Sequence, residues 1–261
     1  MGITIGTQVL RGEPSGGGGS VTDITAADIT DATSTGRDVL TGTAADGRDA
    51  LGVTIDAMTG DGWTSLTPAA GESTTWSGGR LTLDVPEATS SNEHCGASRT
   101  DAIADVDSYD VLARVQIVSG DGNVNGRLHV RCGRDSTHHV LVSLAGTGSL
   151  TIGHPNVPSG YTEYVARGSD TIGSTDRTSG QLWLRVSRRP TGVSVMWGTG
   201  TAGALPTRWS TLYSGTGASY DALDLSSGSW CLIGANAGSG VSAGLTIDVL
   251  EIRIASGGLS L

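Results

Sequence analysis

The sequence predicts an all-β protein whose main body, residues 53–261, is an antiparallel jelly-roll β-sandwich behind a short helical N-terminal segment. Apolar and polar residues alternate over strand-length runs, which is the pattern of strands with one buried face. Turn-forming residues separate the runs, and the 261 residues include 41 glycines. No long helical pattern interrupts them, which favours a sandwich over an α/β fold.

The alternating runs predict which side chains face the core. In order along the chain these are Leu81, Leu83, Val85, Tyr109, Val111, Ala113, Val115, Ile117, Leu128, Val130, Cys132, Val140, Val142, Leu144, Leu150, Ile152, Leu182, Leu184, Val186, Val193, Val195 and Trp197. In the last run, residues 245–254, the apolar phase shifts by one residue between Val249 and Leu250. A β-bulge would produce this shift, and burial of both strand faces is the alternative.

Residues 1–52 differ in composition from the rest of the chain. Residues 1–20 form an arm with the Gly-rich linker SGGGGS. In residues 21–52, two Thr-Ala-Ala-Asp sequences begin at Thr25 and Thr43 and place a hydroxyl three residues before an acid, as helix caps do. Helices this short are unstable alone in water, so we expect the main domain or neighbouring subunits to hold them.

Charge and composition exclude several classes of protein. The net charge is −10, which argues against binding to the nucleic-acid backbone, and all 16 basic residues are arginine. No apolar run approaches the roughly 18 residues that span a membrane, and the N-terminus lacks the pattern of a signal peptide. Cys95, Cys132 and Cys231 lack metal-knuckle spacing. Cys132 is predicted to be a small core residue, and a bond from Cys95 to either other cysteine stays open.

One N-terminal stretch resembles a known group of proteins. Residues 24–52, ITAADITDATSTGRDVLTGTAADGRDALG, are similar to linkers of bacteriophage tail-fibre and minor tail proteins, in which ITDAT-x-x-GR-x-VL precedes an Ala/Asp-rich helix ending in ALG. Gly42 and Gly47 depart from that pattern, so a shorter helix is expected here. The resemblance implies a virion protein, assembled in the host cytoplasm, that contacts other virion proteins through residues 1–52. Such fibres are commonly trimeric, which implies a homotrimer.

Two stretches of the predicted sandwich resemble concanavalin A-like lectin/glucanase domains. Residues 180–215 contain an LWLR strand, a turn, a second strand and then Trp209-x-x-Leu212, and residues 244–254, GLTIDVLEIRI, are similar to the last strand of those domains. Together the two resemblances imply a minor tail or fibre component that adheres to a host-surface glycan. A capsid-decoration or tail-stabilising protein without a ligand is one alternative, and a cell-wall glycan hydrolase is another.

Enzymatic chemistry finds little support in the sequence. Glucanases of this fold carry paired carboxylates in an E-x-D-x-x-E arrangement, because glycoside hydrolysis needs an acid together with a nucleophile or base. None of the Glu residues in this sequence has that spacing. We therefore expect no enzymatic activity and no organic cofactor.

Four residues are candidate glycan ligands: Trp183, Arg185, Tyr161 and Tyr164. Trp183 is out of phase with the core-facing leucines of its strand and shares the opposite face with Arg185. An exposed aromatic ring on that face would offer a stacking platform for a sugar. Tyr161 and Tyr164 lie in a Gly/Pro-flanked loop. The alternative for Trp183 is packing beneath a loop or against another subunit.

Asp121 and Asn123 are candidate ligands for calcium, the one metal that the sequence suggests. They belong to the turn GDGN at residues 120–123, and Asp105 and Asp107 would add further oxygens. Many turns of this kind bind no ion, so a plain turn is the alternative.

Overall fold

A computed structural model describes residues 53–56, 59–66, 71–86, 93–100, 108–123, 126–133, 139–155, 164–201, 204–216, 230–237 and 244–256. These residues all belong to the unit Arg48–Leu261. The predicted arm (1–20), the predicted helical anchor (21–52) and Tyr161 lie outside the described residues, as do Asp105 and Asp107. The trimer and the contacts with other virion proteins stay predictions.

The described residues form fifteen strands and one short helix. The elements are β1 (Val53–Asp56), β2 (Thr64–Ser65), β3 (Ser73–Ser77), β4 (Arg80–Val85), β5 (Glu93–Arg99), β6 (Tyr109–Ser119), β7 (Gly126–Gly133), β8 (His139–Ala145), β9 (Ser149–Pro155), β10 (Tyr164–Thr171), α1 (Ser174–Thr178), β11 (Leu182–Arg189), β12 (Gly192–Thr199), β13 (Ser210–Thr216), β14 (Trp230–Ala237) and β15 (Leu245–Ser256). Across these ranges no helix has the length and apolarity to cross a membrane.

The strands form two antiparallel sheets. Sheet A has eight strands, in the order β13-β12-β11-β6-β15-β4-β3 with β1 also paired to β15. Sheet B has seven strands, in the order β10-β9-β8-β7-β14-β5-β2. Neighbours are often distant in sequence, as where β6 lies between β11 and β15, which is typical of a jelly roll. The predicted all-β sandwich is confirmed.

The core lies between the two sheets and has the composition that the alternation predicts. Every residue predicted to face inward belongs to it, except that Trp197 is partly buried and packs against it. Cys132 is fully buried there, as predicted, and Cys95 is a core residue as well. Since burial of a large aliphatic side chain contributes about 1.5–3 kcal/mol, this core is the main source of stability.

The last strand contains the predicted bulge. Val249 lies opposite Val115 of β6, whereas the next paired residue is Glu251, opposite Arg114, so that Leu250 is the extra residue. Before the bulge β15 pairs with β4, and beyond it with β1. A bulge bends its strand, which accounts for the change of neighbour at this point. Burial of both faces is therefore not the reason for the shift of phase.

Candidate functional site

The outer face of sheet B carries a line of small and polar residues, which we call the polar row. Each member follows or precedes a core residue, so its side chain points away from the core. Strand pairing joins the members across five strands: Gly96 to Gly234, Gly234 to His129, His129 to Ser143, and Ser143 to Thr151. Residues directly opposite one another on antiparallel strands have Cβ atoms about 4.5–5.5 Å apart, so the row is continuous.

The two glycines at one end of the polar row are both buried, and Gly96 lies close against the backbone of β14. A Cβ atom on Gly96 would lie 2.5 Å from the carbonyl oxygen of Ile233 and 2.6 Å from Cα of Gly234. Backbone atoms cannot yield as a flexible side chain can, so no larger residue fits at position 96. The polar row therefore ends in two positions without side chains, one on β5 and one on β14.

Arg131 lies two residues beyond His129 on the same outer face. Its Nη2 is 3.3 Å from Nδ1 of His129. Because a guanidinium only donates hydrogen bonds, Nδ1 is the acceptor, and the neutral imidazole then carries its proton on Nε2. Both side chains are half-buried. The pair thus presents N–H donors to the outer face.

Two donors beside the polar row have no hydrogen-bond partner. They are the hydroxyl of Ser143, whose residue is 4% exposed, and Nε of Arg131, which is inaccessible to solvent. A buried donor without an acceptor typically costs about 1–3 kcal/mol of stability. Such orphaned groups often mark positions where function, rather than stability, selects the residue.

Trp183 lies on the outer face of sheet A, opposite the core, as the sequence predicts, but it is fully buried. Its ring lies 5.9 Å from the guanidinium carbon of Arg114 and 5.1 Å from that of Arg253. These contacts are cation–π interactions between neighbouring strands. The burial favours the packing alternative, because a sugar would have to displace these groups in order to stack on the ring. Glycan binding by Trp183 stays a prediction.

Arg185 is also buried, on the same face as Trp183. Its Nε donates to Oδ1 of Asp110 at 2.8 Å, and Nη2 of Arg189 lies 3.0 Å from the other oxygen of that carboxylate. The ring of Trp209 lies 5.6 Å from the guanidinium carbon of Arg185. In this structure Arg185 serves an internal ion pair. Tyr164 begins β10, and nothing further is described of its side chain.

The GDGN turn has the predicted turn conformation, but its oxygens already have donors. Asp121 accepts hydrogen bonds from Oγ of Ser174 at 2.6 Å and from Nε of Arg177 at 2.5 Å, while Oδ1 of Asn123 accepts from the backbone N–H of Gly126 at 3.0 Å. The hydrogen bonds from Ser174 and Arg177 hold the pKa of Asp121 below its ordinary value. A guanidinium thus lies where a cation would have to bind, and the turn as it stands does not fit calcium. The described residues contain no group of three or more His, Cys, Asp or Glu side chains that could hold a metal ion.

The sequence analysis assigned no function to the residues of the polar row. Arg127, His129 and Arg131 alternate with the core residues of β7, which identifies them as outward-facing. Their neighbours Ser143 and Thr151 become evident only from the strand register. An outward His between two outward Arg residues, in an acidic chain, is the one sequence signal that could have indicated this face.

Comparisons with known proteins support the fold. The chain is similar to the exoplasmic/lumenal domain of VIP36 in its metal-free form, with a TM-score of 0.55 and 14% identity over 80% of this chain and 92% of that one. It is also similar to the carbohydrate recognition domain of Emp47p, with a TM-score of 0.53 and 12% identity over 79% and 95%. A third similar structure is a GH43 protein mutant from Bacillus licheniformis, with a TM-score of 0.51 and 14% identity over 77% and 39%.

At these identities the likeness shows the fold alone: a concanavalin A-like, lectin-like jelly roll. No protein-family model matches the sequence. No curated protein matches it either.

Proposed function

We propose that this chain is a structural component of a bacteriophage virion, a minor tail or fibre protein, that adheres to a glycan on the host surface. The sandwich is the adhesive domain, and the glycan binds across the polar row of sheet B and the adjacent Arg131. Residues 1–52 attach the domain to other virion proteins. The protein acts as a homotrimer in the assembled particle.

Two resemblances support the proposal. The fold is that of carbohydrate recognition domains, and one of the similar VIP36 structures contains calcium and Man2. The phage role depends on the similarity of residues 24–52 to tail-fibre linkers. Fold alone does not determine function, so the argument for glycan binding must come from the side chains.

The observation that carries the proposal is the polar row with its orphaned hydroxyl. Ser143 is buried on the outer face without a hydrogen-bond partner, between His129 and Thr151. A sugar presents many hydroxyls that both donate and accept, so it would supply the missing acceptor for Ser143.

The test is binding of the full-length protein to purified cell-wall polysaccharide of the host bacterium. A variant that combines His129→Ala with Arg131→Ala should weaken binding by at least about tenfold, because loss of a hydrogen bond to a charged group costs about 1.5–3 kcal/mol. The control is Arg80→Ala on sheet A, where the arginine is half exposed and pairs with Asp248. Equal binding by wild type and double variant would exclude the polar row as the site.

The alternatives are outcomes of the same experiment. A wild-type protein that binds no host polysaccharide, yet is needed for particle stability, would be a capsid-decoration or tail-stabilising protein. Sugars released from the polysaccharide would indicate a hydrolase. Strands β7, β8, β9 and β14 contain no Asp or Glu, so this part of sheet B lacks the carboxylates that hydrolysis requires.

The homotrimer has its own test. Light scattering of the full-length protein should give about three times the mass of one chain, which is 26.4 kDa. Deletion of residues 1–52 should abolish incorporation into the particle. A monomeric full-length protein, together with normal incorporation of the truncated chain, would contradict the assembly role of this segment.

A further inference from the structure

The centre of sheet B is free of acidic residues although the protein as a whole is acidic. The chain has 26 Asp and Glu residues against 16 basic ones. Not one of the acidic residues lies on the adjacent strands β9, β8, β7 and β14. The same strands carry Arg127, His129 and Arg131 at outward-facing positions of β7. The outer face of these four described strands therefore carries arginine side chains and no carboxylate.

Hydrogen bonding at this face shows the same imbalance. Arg131 only donates, and its Nε has no hydrogen-bond partner. His129 uses Nδ1 as the acceptor for Arg131, so its other ring nitrogen is a donor. The hydroxyl of Ser143 is a further donor with no acceptor. Two of these donors, Nε of Arg131 and the hydroxyl of Ser143, lack an acceptor, so a ligand that satisfies them must bring acceptor oxygens.

We propose that the ligand of the polar row is an acidic glycan, a sugar polymer that carries carboxylate or phosphate groups. This inference rests on the proposed glycan-binding function and specifies its substrate class. The planar guanidinium of Arg131 matches the two oxygens of an oxyanion, and charge-assisted hydrogen bonds of this kind are about twice as strong as neutral ones. Ser143 donates to the oxyanion or to a neighbouring sugar hydroxyl.

The specificity is electrostatic in origin. A chain with a net charge of −10 repels polyanions as a whole, so an acidic polymer binds only where a local cationic surface overcomes that repulsion. Binding of an acidic polymer would therefore not result from a non-specific attraction to the protein as a whole. Screening by salt should weaken the interaction, because the attraction acts over a distance comparable with the Debye length, about 10 Å at 0.1 M salt.

The experiment measures binding of the full-length protein to three immobilised polymers. They are polygalacturonate, its fully methyl-esterified form, and a poly(glycerol phosphate) teichoic acid. We expect at least one acidic polymer to bind about tenfold or more tightly than the neutral ester, and the two acidic polymers distinguish carboxylate from phosphate. Arg131→Gln should remove most of this preference, while Arg131→Lys should retain part of it.

The matched control is Arg208→Gln, which removes the same charge from an exposed position beside β13 on sheet A. It should leave binding unchanged. Equal losses in the two Arg→Gln variants would mean that only net charge matters, and would overturn the inference. Since Arg131→Gln could also perturb folding, Ser143→Ala serves as a second variant, and it should weaken acidic binding several-fold while the protein keeps its melting temperature.

Failure of this inference can be told apart from failure of the proposed function. If the protein binds host polysaccharide through the polar row but shows no preference for the acidic polymers over the ester, the acidic class is wrong and the adhesive function stands. If it binds neither host polysaccharide nor any of the three polymers, the proposed function itself is wrong.

Discussion

The outer faces of the two sheets both carry arginines in alternating positions, yet the arginines of each sheet have different partners. On sheet A, Arg185 and Arg189 share the buried carboxylate of Asp110, and Arg114 and Arg253 share Glu251 at 3.4 and 2.6 Å. On sheet B, Arg131 meets only the acceptor nitrogen of His129 among its described contacts.

This difference underlies the proposed division between a structural face and a binding face. Arginines that are balanced by carboxylates within the fold contribute to packing and leave little for a ligand to satisfy. The balance on sheet A is incomplete, because Nε of Arg114 and Nε1 of the buried Trp183 have no hydrogen-bond partner. Nε of Arg114 still lies 3.4 Å from the carboxylate of Glu251, and Trp183 belongs to a strand that is buried along most of its length. On sheet B, Ser143 also belongs to a strand that is buried at every position, but Arg131 on the adjacent strand is half-buried and has no carboxylate among its described contacts.

The largest effect that we expect is the loss of Trp183. Trp183→Ala would remove a fully buried indole and two cation–π contacts, so it should lower the free energy of unfolding by about 3–5 kcal/mol. Chemical denaturation of the full-length protein measures this value. A change of less than about 1 kcal/mol together with a loss of glycan binding of about 1–3 kcal/mol would show instead that Trp183 is a binding residue. That result would reverse the roles of the two faces.

Asp110→Asn should have the next largest effect. The carboxylate is fully buried between two guanidinium groups, and removal of one partner from a buried ion pair typically costs about 3 kcal/mol or more. Asparagine keeps one acceptor oxygen, so the loss should lie near the lower end of that range. Denaturation curves test it, with Arg80→Gln as the control. In the pair of Arg80 with Asp248 the arginine is half exposed and the carboxylate keeps a hydrogen bond from Thr82, so that change should cost less than Asp110→Asn.

Ser143→Ala should reduce binding but not stability, unlike the two substitutions on sheet A. Because its hydroxyl is buried without a partner, replacement by a methyl group removes an unsatisfied donor and should leave stability unchanged or raise it by up to about 1 kcal/mol. Glycan binding should fall at the same time. A stability loss above about 1 kcal/mol would mean that the hydroxyl supports the fold, and the contrast between the two faces would weaken.

The sequence predicted the core of both sheets well because alternation with a period of two reports directly on burial. It also predicted the bulge at Leu250, since a shift of phase can be counted along the strand. It left two environments open for Trp183, an exposed sugar platform and a packed side chain. Its phase gives the correct face, but Arg114 and Arg253, which lie against the ring, come from β6 and β15, whose pairing the sequence does not reveal.

The candidate site was missed for the same reason. His129 and Arg131 are adjacent outward positions on one strand, but Ser143, Thr151 and Gly234 join them only through the register of four strands. The GDGN turn shows the opposite limit of prediction from sequence. Its conformation was predicted from four residues, whereas the arginine that occupies it comes from α1.

The smallest expected effect concerns that turn, and it appears as a dependence on pH. The hydrogen bonds from Ser174 and Arg177 lower the pKa of Asp121 in the folded state below its ordinary value of 3.8. A lowered folded pKa means that the carboxylate stabilises the protein above the unfolded pKa, and that this contribution disappears as pH falls through the folded value. The stability difference between wild type and Asp121→Asn should therefore be constant near neutral pH and should shrink below about pH 4. If added calcium raised the melting temperature of the wild type but not of Asp121→Asn, the turn would be a metal site after all, and Arg177 would have to move away to admit the ion.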